Sequence, residues 1–110
     1  MSFTTPSAGG GGAAVEQSVR VTFVDSPYPV SAIDQKMMVD ATGGNIIINI
    51  PTAIGNDGRV LTIKKIDNSV NTVTVSGFGG QTIDDQPSYV ISVRYDSISI
   101  NADSGNWWIV

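Results

Sequence analysis

Histidine and cysteine are both missing from these 110 residues, and leucine occurs once, at Leu61. Without histidine the chain lacks the commonest general base and the commonest metal ligand. Without cysteine it has no thiolate nucleophile and no disulfide framework. The scarcity of leucine argues against a substantial amphipathic helix, since leucine is ordinarily among the most frequent residues. No window shows the i, i+3, i+4, i+7 apolar spacing that such a helix needs. Positive charge is also scarce: six Lys and Arg face ten Asp and Glu, for a net charge of −4. Neutralising phosphates takes clustered cations. Lys64 and Lys65 are the only adjacent pair, and on a strand they point to opposite faces, one solvated and one with a half-covered stem. No nucleic-acid partner is expected. No apolar run approaches the ~18 residues of a membrane span, so no membrane partner is expected either. Met1 leads into Ser, Thr, Pro and Gly instead of a basic and apolar leader, which predicts no signal peptide.

What the chain has is β-branched residues. Val, Ile and Thr together make 35 of the 110, and such side chains lose rotamer freedom in a helix but pack well on a pleated surface. Strands are predicted over residues 19–24, 28–33, 36–40, 45–50, 59–66, 72–76, 81–83, 88–94, 97–101 and 106–110. Turn residues such as Asn56-Asp57-Gly58, Asp67-Asn68-Ser69, Gly77-Phe78-Gly79-Gly80 and Asp103-Ser104-Gly105 separate them. Residues 1–17, with four consecutive glycines at 9–12, read as a flexible arm. Residues 18–110 read as one β-domain, the most this length allows. Short strands at this spacing predict an all-β fold: a single antiparallel β-sandwich, jelly-roll-like or barrel-like.

Three segments break the inside/outside alternation: Met37-Met38-Val39, Ile46-Ile47-Ile48 and Trp107-Trp108-Ile109-Val110. Each is apolar on both faces, and a two-layer domain covers only one face of each sheet. Met37, Met38, Ile47, Trp107 and Trp108 are therefore assigned to core and oligomer interface, which predicts self-association. Candidate chemistry is sparse. Asp84 and Asp85 are adjacent carboxylates in a turn before Pro87, where they point apart into water and not across a cleft as glycoside hydrolysis requires. Asp67-Asn68-Ser69 and Asp103-Ser104-Gly105 supply too few oxygens for a calcium loop. No catalytic residue, metal ligand or cofactor is assigned, and the chain is not read as an enzyme. Arg59 and Arg94 are expected to pair with Asp96 or with acids of a neighbouring subunit. Trp108, Tyr89, Tyr95 and Tyr28 are candidates for a sugar-stacking platform, or for filling cores and interfaces.

The succession RVLTIKKIDNS, NTVTV, GGQTID, SYVISVRYDSISI and SGNWWIV resembles a small β-module of tailed-bacteriophage virion proteins, found in tail fibres, spikes and surface-decorating proteins. Residues 59–66 match its first strand, 72–75 the next and Thr82-Ile83-Asp84 the short third. Residues 89–93 with Tyr95-Asp96-Ser97 match its long penultimate hairpin and 106–110 its terminal strand. Asp85 stands where a turn glycine is common in that module, and Asp96 where glutamate is usual. The resemblance implies a homotrimer. It also implies a capsid decoration (cement) protein bound to the major capsid protein on the outer head surface, made in the host cytoplasm and resident in the virion. The Gly-rich arm would then lie against the capsid through Phe3, Thr4, Thr5 and Pro6. The alternative it implies is a tail-fibre or receptor-binding module that recognises host-surface glycans.

Overall fold

The computed structural model describes residues 17–110. The arm residues Phe3, Thr4, Thr5 and Pro6 lie outside the described residues. Among the described residues nine strands follow one another: β1 (Ser18–Thr22), β2 (Tyr28–Pro29), β3 (Lys36–Asp40), β4 (Ile46–Asn49), β5 (Val60–Lys65), β6 (Val73–Ser76), β7 (Ser88–Ile91), β8 (Ser97–Asp103) and β9 (Asn106–Ile109). They form a five-stranded sheet in the order β1-β3-β5-β8-β9 and a four-stranded sheet in the order β2-β4-β6-β7.

The all-β expectation holds, but the pairing is mixed and not antiparallel throughout. β1–β3, β3–β5, β2–β4 and β4–β6 are parallel, whereas β5–β8, β6–β7 and β8–β9 are antiparallel. Parallel neighbours need a crossover long enough to carry the chain back to its starting end. Here each crossover is a strand of the other sheet, so from β1 to β6 the chain winds between two sheets. Ser18 pairs with Lys36, Lys36 with Thr62, and Ile46 with Val73. The antiparallel strands come only after that winding. The order of strands in neither sheet returns on itself, so the fold is not a closed barrel.

Alternation along the strands sorts the side chains. Val21, Met37, Val39, Leu61, Ile63, Ile98, Ile100 and Trp107 of the large sheet join Ile46, Ile48, Val73, Val75 and Ile91 of the small one in a single buried cluster. Full burial of a side chain of this size stabilises by about 1.5–3 kcal/mol. Period two along the expected strand 19–24 would put Phe23 on one face with Val19 and Val21, but it sits in a 3-10 turn over Phe23–Asp25 and is exposed. There it packs over Gly43 and Gly44, where an added Cβ would meet its ring.

Lys65 is the other correction. It is fully buried, not half-covered. Its Nζ donates to Asp67 Oδ2 (3.0 Å), Asp67 O (3.1 Å) and Ser69 O (3.0 Å). Strand alternation turns Lys65 inward beside Ile63, and the turn that follows folds its acceptors over the ammonium. Asp67 also accepts from the Ala41 N–H (2.8 Å), the Ser69 N–H (3.0 Å) and the Ser69 hydroxyl. Burial alone would raise the carboxyl pKa of Asp67. The bonds from Ser69, Ala41 and Lys65 outweigh it and hold the group well below the usual carboxylate range.

Candidate functional site: a groove and the outer face of the large sheet

The residues left over from the core define the outer faces. On the large sheet the strand register lines up Val60, Asn101 and Trp108 in one row, and Ser18, Lys36, Thr62 and Ser99 in the next. A third row holds Arg20, Met38, Lys64 and Ser97. Beside the first two rows the loop between β2 and β3 borders an open groove of about 800 Å³. Gln17, Ile33, Asp34, Gln35, Lys36, Arg59, Val60 and Thr62 contribute to its walls. That volume lies within the range of small-molecule sites.

Arg59 pins the loop. Its Nη2 donates to Ser31 O (2.7 Å) and Asp34 O (2.9 Å), fastening the loop to the start of β5. The loop is braced from within by Asp34, whose Oδ2 accepts from Tyr28 OH (2.6 Å) and Ser31 N (2.9 Å). Burial pushes the Asp34 carboxyl up, but the bonds from Tyr28 and Ser31 and the nearby Arg59 charge bring it below its ordinary value. Burial and then the same bond drive the Tyr28 hydroxyl up to about 12. The opposite wall is β3 and its approach: Gln17 N donates to Gln35 Oε1 (2.5 Å), and Gln17 O accepts from Lys36 N (2.9 Å). Thr62 and Ser99 share a hydroxyl hydrogen bond of 2.8 Å across the sheet.

Met37 and Trp107 are core residues, and Trp107 Nε1 donates to Pro51 O (3.1 Å). Met38 and Trp108 lie on the outer face of the large sheet, and Ile47 on the outer face of the small one. The four aromatic residues form no common platform. Tyr28 and Tyr89 belong to opposite edge strands of the small sheet. Tyr95 lies in the β7–β8 loop, with Arg94 4.5 Å and Lys64 5.6 Å from its ring centre. Trp108 stands on β9, its Nε1 bonded to Asp103 O (3.1 Å). Asp84 and Asp85 occupy a tight turn with φ of 47° and 66°. Asp84 Oδ1 accepts from Ile109 N (2.9 Å), so it supports the last strand and does not simply point into water. Arg59 bonds to backbone carbonyls where an acid partner was expected.

The groove was not legible in the sequence. Its cations, Lys36 and Arg59, are 23 positions apart in the chain and meet only because β3 pairs with β5. The one local signal was the polar pair Gln35-Lys36 at the head of an apolar strand. Among the described residues no group of three or more acidic, histidine or cysteine side chains is placed to hold a metal ion. No helix among them is long and apolar enough to cross a membrane. No family model, no curated protein and no solved structure matches this chain.

Proposed function

We propose that this is a structural virion protein, a capsid decoration protein that attaches as a homotrimer to the outer head surface. In this reading its two sheets stack as the layers of a sandwich. One observation carries the reading. On the outer face of the small sheet Ile47 and Val90, joined through Thr74 in one register row, are 43% and 53% exposed. Apolar side chains that face solvent from one row of a sheet favour a partner that covers them. A cyclic trimer needs two different patches on each protomer. The edge strand β7, carrying the exposed Tyr89 beside that face, supplies the second. The sequence adds a Gly-rich arm suited to lying along a capsid surface, and the resemblance in residues 59–110 to phage virion modules.

The test is sedimentation with heads assembled without the protein. The full chain should occupy them, and a chain lacking residues 2–14 should bind weakly or not at all while remaining trimeric. A full chain that ignores such heads overturns the decoration reading.

A further inference from the structure

We propose that the outer face of the large sheet is the docking surface for the chain's own N-terminal arm, with Phe3 seated against Trp108 and Val110. The docking concerns the free chain and leaves the outer face of the small sheet untouched, so it fails separately from the decoration reading.

An apolar band crosses that face. Ile33 and Val60 line the groove at one end of it. Trp108 stands at the other end, its indole N–H bonded to Asp103 O, which fixes the ring on the sheet. Val110, two positions further along, falls on the same side as Trp108, with its N–H bonded to Ser99 O (2.9 Å). These four side chains are 36% to 73% exposed. Between the two ends lie Asn101 and the hydroxyl pair of Thr62 and Ser99, all uncharged. Apolar surface gathered in this way favours a cover.

The place where the arm joins the β-domain points to that cover. Gln17, the first described residue, belongs to the groove wall, and its carbonyl accepts from Lys36 N (2.9 Å). Residues 1–16 therefore lead away from the edge of the band. From the Gln17–Lys36 contact, β9 is three strands beyond β3, about 14 Å. Phe3 lies 14 positions before Gln17, a length of chain that spans up to about 46 Å when extended. Phe3 thus reaches Trp108 with slack, which a loop at Gly9–Gly12 takes up. Closing such a loop costs only slightly more as it lengthens. Residues 1–15 carry no charged side chain, and Phe3 is their one aromatic residue, so an uncharged arm meets an uncharged band. Tethering also sets the arm's effective concentration in the region of about 1 mM. A second copy arriving from solution has no such advantage.

The full chain has no cysteine, so Ser2→Cys accepts a single nitroxide label. In the labelled chain the amide resonances of Val60, Trp108 and Val110 should lose intensity, while those of Ile47 and Val90 on the opposite outer face keep theirs. Deleting residues 2–14, or replacing Phe3→Ser, should shift the Trp108 indole N–H resonance and leave that of buried Trp107 in place. Neither change touches a residue of the two sheets. Broadening confined to the small-sheet face, or spread evenly over both faces, overturns the proposal. So does a Trp108 indole signal that neither change moves. Nitrogen-15 chain without the label, unfolded and refolded together with labelled chain, separates the sources. Its Val60 and Trp108 signals should be broadened less than within the labelled chain itself; equal broadening makes the occupant a sister chain's arm and overturns docking within one chain.

Discussion

At the scale of single residues, the two adjacent tryptophans show how far period-two reasoning reaches. Alternation requires Trp107 and Trp108 to face opposite ways, and the structure buries the first and leaves the second on the surface. Trp107→Ala should therefore cost about 3–5 kcal/mol, read as a lower urea midpoint. Lys65 shows where that reasoning stops. Its inward orientation follows from the same alternation, but its tolerance of burial depends on Asp67 and Ser69, whose turn geometry no periodicity reveals. Removing one partner strands the other's charge, so Asp67→Asn should destabilise by about 3–5 kcal/mol. The pH dependence follows from the direction of the shift. The Asp67 carboxyl is depressed in the folded chain, whereas in the unfolded chain it titrates near an ordinary value of about 3.9. Its contribution is complete above about pH 4 and is lost as the pH falls further. Thermal melts from pH 6 down to pH 2 should show a decline below pH 4 that is shallower in Asp67→Asn.

At the scale of elements, strand positions were readable and strand partners were not. Residues 36–40 were expected as a strand and form β3, because Met37 and Val39 alternate with polar neighbours inside clear turn signals. The segment 81–83 was expected as a strand but contributes only isolated bridges from Ile83 to Gln86 and Trp107. The parallel pairings were invisible for a physical reason: inward alternation looks the same in parallel and antiparallel strands. The glycine corner at 77–80 was legible as a turn, and Gly77 has a specific reason to lack a side chain. A Cβ there would stand 2.4 Å from the carbonyl oxygen of Gln81. Relieving that contact means moving backbone, so Gly77→Ala should destabilise by about 1–3 kcal/mol, seen as a lower melting temperature. The β8–β9 hairpin turns through Ser104 and Gly105, with φ of 53° and 82°. Positive φ at both positions is what a two-residue hairpin loop requires, and the Ser-Gly pair announces it.

At the scale of the whole molecule, the proposed trimer rests on the outer face of the small sheet. Replacing Ile47 and Val90 together by lysine places two charges in the proposed interface. Light scattering should then report a monomer, against the trimer proposed for the unaltered chain, with circular dichroism unchanged. A monomeric mass for the unaltered chain at micromolar concentration would remove the basis for the trimer. The winding between sheets has a consequence of another kind, in time and not in space. Among the seven strand pairings of the described residues only β8–β9 joins segments separated by a tight turn, and β6–β7 closes over about a dozen residues, Ser76 opposite Ser88. Every parallel pair must bring together residues at least 18 apart, as Ser18 and Lys36 are. Loop closure of that kind sets in only once the connecting strand has found the other sheet, and domains dominated by such contacts fold in milliseconds to seconds. The C-terminal hairpin is thus the natural first structure to form. The N-terminal coil, whose β1 and β2 are held by parallel pairings of long sequence separation alone, is the natural last.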